Sequence, residues 1–332
     1  MASNESLKDT IFSLDSAEAF ERAALLTFSD QVQRNVLYGD FVRQLGIDPT
    51  AVKRLSDIPF LPIAFFKTHA VKTGDYTAEA TFSSSGTTGQ MPSKHHLKAL
   101  ALYEQSFRQA FARFYGNPKD YCILALLPAY LERQGSSLVH MANDLINTSQ
   151  HPLSGFYLND LDRLEHTLTD LAKSQTKTLL LGVSFALIDL AERMPASFDH
   201  GQLTVMETGG MKGRRREMIR AELHDLIKAG LHVDHVHSEY GMTELLSQAY
   251  AKQDGRYQTP PWMAVYTRDT SDPLSRIGHE KTGGLNIIDL ANQDSCAFLA
   301  TEDLGRTHAD GSFEVLGRFD TAEIRGCNLM AI

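Results

Sequence analysis

A chain of 332 residues is longer than one core usually needs and predicts either one large domain with subdomains or two domains. Its 42% hydrophobic and 22% charged residues are ordinary globular values. A formal net charge of -9 with a pI near 5.8 argues against a general binder of nucleic acid or acidic membrane.

The polar start MASNESLKDT lacks the basic and apolar regions of a secretory signal, and the longest apolar run, near Ile123, is far too short for a membrane span. A cytoplasmic location is therefore expected. Residues 1 to about 58 then read as helical, with Phe20, Ala23, Ala24 and Phe28 at helical spacing and Asp15 or Ser16 as a cap. Pro59 and Pro62 end that region.

From Thr81 to Tyr250 short apolar runs alternate with longer amphipathic ones. Tyr121–Leu127, Thr178–Leu181 and Leu203–Glu207 read as buried strands, while LDRLEHTLTDLAKS and RREMIRAELHDLIKAG read as helices. This alternation predicts an α/β fold with a mostly parallel sheet and crossover helices. LHVDHV reads as a further strand leading into HSEYGMTELLSQAY, with Tyr240 and Gly241 at its edge and Thr243 and Glu244 opening a helix. After about Tyr250 turns rich in Gly, Asp and Thr separate short strands such as LNIIDL and CAFLA. The expected organisation is an α/β core over residues 1–250 and a smaller β-rich subdomain over residues 251–332.

TFSSSGTTGQMPSKHH (Thr81–His96) fits neither GxxxxGK[ST] nor GxSxG. Its glycines can turn backbone N–H groups inward, and its hydroxyls and Lys94 add donors, which suits a polyphosphate. Composition alone fits a solvent turn equally well. At the carboxyl end of a strand, Tyr240 could cover a base, Thr243 could bind phosphate and Glu244 could hold Mg²⁺, although a capped helix explains them too. In TEDLGR (Thr301–Arg306) and GRFDTAEIRG (Gly317–Gly326), Asp303 is a suitable acceptor for vicinal hydroxyls and Arg318 a suitable fork for phosphate or ribose.

SSSGTTGQMPSK, EYGMTE, TEDLGR and GRFD, in that order, resemble the adenylate-forming superfamily of acyl-CoA synthetases, peptide-synthetase adenylation domains and insect luciferases. EYGMTELLSQAY and GRFDTAEIRGCNL resemble most closely the acyl-protein synthetases of bacterial bioluminescence, the ligase component of a fatty acid reductase. The similarity runs from about Phe60 to the end. It implies that Ser84, Ser85, Gly86, Thr87, Thr88, Gly89 and Lys94 surround ATP phosphates. It also implies that Tyr240 lies against adenine, Thr243 on the α-phosphate, Glu244 on Mg²⁺, Asp303 on the ribose hydroxyls and Arg318 on ribose or phosphate. Gly209 and Gly210 match the loop beside adenine and the acyl pocket, LGVSFALIDL matches a helix lining that pocket, and Asp320 matches a hinge.

Ile332 ends the sequence six residues after Gly326, so the mobile C-terminal lid domain of the superfamily, with its lysine, is expected to be lacking. Losing one preorganised donor typically costs ~10²–10³ in rate; Lys94 and Arg318, or a partner, would carry that charge. The resemblance further implies that Cys327, in RGCNL, takes the activated acyl group as a thioester, with Arg325 favouring the thiolate. Packing as a small apolar residue at a strand end is the other reading of Cys327.

The implied reaction joins a fatty or other carboxylic acid to ATP with Mg²⁺. The implied partner is an acyl-accepting reductase or carrier protein, and a homo- or hetero-oligomer is possible. The alternatives are an acyl-CoA ligase of the phenylacetate type and a catalytically weak nucleotide-binding subunit. His232, His235 and His237 favour no metal, since a strand puts only the last two on one face, and KGRRRE (Lys212–Glu217) reads as a solvated helix start. Cys122, Cys296 and Cys327 form no CxxC pair, so neither disulfide nor structural zinc is expected.

Overall fold

Ser16 opens the first long helix, α1 (Ala17–Arg34), its hydroxyl accepting from Ala19 N at 3.2 Å. Phe20, Ala23, Ala24, Phe28 and Val32 form the buried stripe. Asn35 caps α2 (Val36–Gln44) in the same way. The computed structural model describes residues 10–84, 91–127, 135–158, 160–209 and 218–319.

The remaining elements follow in chain order: β1 (Leu61–Pro62), α3 (Phe65–Thr68), β2 (Ala80–Ser83), β3 (Lys94–Leu97), α4 (Leu100–Tyr115), β4 (Cys122–Leu126), α5 (Ser137–Ser149), β5 (Gly155–Phe156), α6 (Leu161–Lys173), β6 (Thr178–Gly182), α7 (Ser184–Ala191), β7 (Leu203–Glu207), α8 (Arg220–Leu231), β8 (Val236–Tyr240), β9 (Ala249–Ala251), β10 (Arg256–Gln258), β11 (Met263–Arg268), β12 (Arg276–Ile277), β13 (Gly283–Asp289), β14 (Phe298–Thr307) and β15 (Phe313–Arg318).

Among the described residues, thirteen of these strands form one sheet in the order β12, β11, β13, β14, β15, β10, β9, β8, β7, β6, β4, β5, with β1 also on β14. Pairing is parallel from β5 to β8 and antiparallel from β8 through to β12. The parallel half matches the alternating pattern read between Thr81 and Tyr250. Every residue of β4 and β6 is buried, as continuous apolar runs covered on both faces require. Truncating any one of their leucines to alanine would cost about 2–5 kcal/mol. β2 and β3 form a separate hairpin, and β14 meets β13 along one edge and β1, then β15, along the other.

Three expected elements differ. α8 runs to Leu231 and closes on His232 in the left-handed region (φ 52°), so the strand begins at Val236 rather than at Leu231. At the other end of that helix, Met218 and Ile219 are not helical. No helix follows Tyr240 either. Asp289, at the end of β13, accepts from Leu246 N at 2.8 Å and Ser247 N at 3.0 Å, so a carboxylate satisfies amides that a helix would turn toward its own carbonyls.

α1 also braces the middle of the molecule. Gln31, fully buried, donates to Asn292 O and accepts from Ala297 N, and Asn35 donates to Ser295 O. Among the described residues, no helix is long and apolar enough to cross a membrane.

Candidate functional site

Tyr240 ends β8, and its hydroxyl donates to Asp303 Oδ2 on β14 at 2.7 Å. Arg318, at the end of β15, donates from Nε to Asp303 Oδ1 at 3.1 Å. β9, β10 and β15 lie between β8 and β14 in the sheet, so this contact requires the sheet to curl until its strands face each other. Tyr240, Tyr257 and Phe313 fill the inside of the curl, with ring centroids 5.2 to 5.7 Å apart. Asp303 is buried, whereas the Arg318 side chain is 74% exposed, leaving its terminal nitrogens open to a ligand.

The chain from Gly241 to Gln248 loops over this edge. Thr243 O receives a hydrogen bond from the buried His95 of β3 (2.9 Å), so Nδ1 carries the proton. Glu244 O receives one from Asn292 Nδ2 (2.8 Å), linking the loop to the segment held by α1. The Glu244 carboxyl is buried, and burial raises its pKa against a hydrogen bond from Ser93 and the charges of Arg318 and Lys67. Lys67, on α3, lies 3.5 Å from Glu302, the residue before Asp303.

The β2–β3 hairpin presents the Ser/Thr/Gly loop to this place. Its ladder continues one step beyond the strands: Ser84 N donates to Ser93 O at 3.0 Å, and Ser84 Oγ accepts from Ser93 N at 2.8 Å. Ser84 thus clamps the base of the loop, and Lys94 stands exposed beside it, opposite Ser83. Gly209 takes a left-handed φ of 72°; its N–H is committed to Glu207, and its carbonyl accepts from Ser184 N at the start of α7. Gly241 allows a close approach, since a Cβ there would stand 2.4 Å from Glu239 Oε1.

The structure therefore brings Ser84, Lys94, Tyr240, Gly241, Thr243, Glu244, Asp303 and Arg318 to one edge, with Gly209 on the neighbouring strand end. Ser85, Gly86, Thr87, Thr88, Gly89, Gly210, Lys212–Glu217, Asp320, Arg325 and Cys327 lie outside the described residues. Sequence reading missed His95, Lys67, Asp289 and Asn292. His95 was visible only as one of two adjacent histidines. Alternation along β3, with His95 buried and Lys94 exposed, is the signal that separates it from its neighbours.

The donor set suits a nucleotide carrying a divalent cation. Mg²⁺ is usually held by one or two carboxylates together with substrate phosphates, and Glu244 supplies one carboxylate beside two cationic side chains. Among the described residues, no group of three or more His, Cys, Asp or Glu side chains could hold a metal without such help. His237 instead shares a 3.1 Å hydrogen bond with the Tyr115 hydroxyl, and Cys122 and Cys296 are buried and free.

The family described as acyl-protein synthetase, LuxE, matches residues 8–331. No individual protein of curated function matches the sequence. Among solved structures, 2-hydroxyisobutyryl-CoA ligase in complex with 2-HIB-AMP and CoA is 17% identical, with a TM-score of 0.67 over 97% of this chain and 73% of that one. The same ligase in its postadenylation state with R3-HIB-AMP is 14% identical, with a TM-score of 0.66 over 94% and 70%. ATP-bound MatB from Rhodopseudomonas palustris is 18% identical, with a TM-score of 0.52 over 72% and 48%. The chain spans about half the length of the MatB and MatB-chimera structures it matches and shares the α/β fold of these proteins and of 2-hydroxyisobutyryl-CoA ligase.

Proposed function

Because the chain belongs to the LuxE acyl-protein synthetase family, we propose that it activates a carboxylic acid, a fatty acid in the first instance, with ATP and then carries the acyl group as a thioester. The observation that carries this reading is the Tyr240–Asp303–Arg318 cluster beside the buried Glu244. That 2-hydroxyisobutyryl-CoA ligase holds an acyl-AMP and MatB holds ATP on the same fold supports it.

Asp303 accepts from the ribose hydroxyls. Each of its oxygens already holds one hydrogen bond and retains capacity for another. Tyr240, Gly241, Gly209 and Gly210 border the adenine, and the loop of Ser84, Ser85, Gly86, Thr87, Thr88 and Gly89 surrounds the phosphates. Thr243 donates to the α-phosphate. The acid's carboxylate oxygen attacks the α-phosphorus as the bond to pyrophosphate breaks, and Arg318, Lys94 and Lys67 stabilise the charge that develops. Mg²⁺ entering with the nucleotide would be held by Glu244 and would neutralise phosphate charge. The Cys327 thiolate, its proton lost to solvent, then attacks the acyl carbon and AMP leaves. The thioester passes to a reductase or carrier protein.

The test is exchange of labelled pyrophosphate into ATP with a panel of carboxylic acids, followed by labelling with radioactive acid. Acid-dependent exchange and an acyl label lost in Cys327→Ser are expected. Equal labelling of Cys327→Ser overturns the carrier assignment, and an acyl-CoA product formed in its place identifies CoA as the acceptor.

A further inference from the structure

Gly241 matters for what stands next to it. Glu239 and Tyr250 are direct partners across β8 and β9, so their side chains share a face of the sheet, the one opposite Tyr240. The carboxyl of Glu239 curls toward Gly241, and Gln248 Cγ lies 3.4 Å from the point a Gly241 Cβ would occupy. Tyr103, Tyr115 and Tyr250 surround this place, with Tyr250 packed on the rings of Phe114 and Tyr115 from α4.

Three polar groups here have no partner. Gln248 Oε1 and Tyr250 Oη are buried in residues only 4% and 2% exposed, and neither makes a hydrogen bond. The half-buried Glu239 carboxyl likewise has no hydrogen bond or ion pair among the described residues. Leaving a buried group unpaired costs about 1–3 kcal/mol, and two such groups beside a half-buried carboxyl at a nucleotide edge are more than packing explains. Gln248 Oε1 can only accept, whereas the Tyr250 hydroxyl and a protonated Glu239 carboxyl can each donate or accept.

We propose that Glu239, Gln248 and Tyr250 form a subsite for a hydroxyl group on the acyl chain, so that the acid activated is hydroxylated rather than a plain hydrocarbon chain. This rests on the acid-activating reading above and narrows its substrate class. A hydroxyl donates to Gln248 Oε1 or the Glu239 carboxyl and accepts from Tyr250 Oη. Burial, then the charge of Glu207 across the sheet, pushes the Glu239 carboxyl up to about 8, so at neutral pH it is mostly uncharged and suited to a neutral partner.

Pyrophosphate exchange by the full chain with matched straight-chain acids, unsubstituted or carrying a 2- or 3-hydroxyl or amino group, tests this directly. The hydroxy acid is expected to exceed the unsubstituted acid at least ~10-fold in kcat/KM. In Glu239→Leu and in the near-isosteric Tyr250→Phe the ratio should fall toward one, whereas a merely structural role would lower both acids together and keep the ratio. Preference for the amino acid overturns the hydroxyl assignment, and preference for the plain chain overturns the subsite alone. Absence of exchange with every acid overturns the ligase reading and this one with it.

Discussion

Asp303 and Arg318 stand directly opposite each other on adjacent antiparallel strands, with Arg318 Nε donating to one carboxylate oxygen at 3.1 Å while Tyr240 takes the other at 2.7 Å. One buried carboxylate thus closes the curl of the sheet and offers its remaining lone pairs to a ligand. Asp303→Ala should therefore raise the KM for ATP by ~10-fold or more and leave the Tyr240 hydroxyl unpaired at a cost of about 1–3 kcal/mol. Adding Tyr240→Phe should recover part of the stability but none of the nucleotide affinity. Thermal melts and exchange kinetics on the two variants separate these effects, and full recovery of affinity in the double variant would contradict the ribose role.

Glu244 tests the divalent-cation reading. Glu244→Gln keeps shape and loses charge, and should lower pyrophosphate exchange by ~10²-fold while the melting temperature changes little. Burial raises the carboxyl's pKa, so in the wild type the metal-binding form is gained as pH rises through that value, and the exchange rate should rise with it. The variant should lose that acid limb and need more Mg²⁺. An unchanged Mg²⁺ requirement would remove Glu244 from the metal.

The parallel strands were legible because β4 and β6 are buried on both faces, which forces a continuous apolar run short enough to be a strand. Tyr240, Asp303 and Arg318 were legible only as members of ordered motifs. Their meeting was not, because it depends on a curl that spans four strand pairings far apart in sequence. The helix expected after Tyr240 failed for a similar reason: Asp289, about forty residues on, takes the loop's amides, and no local propensity encodes that. Lys67 reaches the site only because β1 pairs with β14, a two-residue strand too short to show a period.

His95 predicts how stability depends on pH. Burial pushes the ring down to about 4 from an ordinary value near 6.5, and its Nδ1–H is committed to Thr243 O. The folded state binds fewer protons than the unfolded one between these values, so stability is full above 6.5 and is lost as pH falls toward 4. The loss is on the order of 3 kcal/mol. His95→Gln should be less stable at pH 7 but show a flatter slope across this window in denaturant titrations. An unchanged slope would assign the acid sensitivity elsewhere.

Asp289 is the strongest structural lever on the site. It is fully buried and accepts from Leu246 N, Ser247 N, Ser247 Oγ and Ala291 N at 2.6 to 3.1 Å, while Trp262 Nε1 donates to the same Ser247 hydroxyl at 2.9 Å. Asp289→Ala strands these donors together, so a loss of at least ~3 kcal/mol is expected in equilibrium unfolding. Asp289→Asn should rescue little, because its amide turns two hydrogens toward donors that need an acceptor. Since the same loop carries Thr243 and Glu244, any variant that folds should also lose pyrophosphate exchange, although Asp289 touches no substrate. Wild-type exchange in a destabilised but folded Asp289→Asn protein would show that the loop holds its shape without the carboxylate.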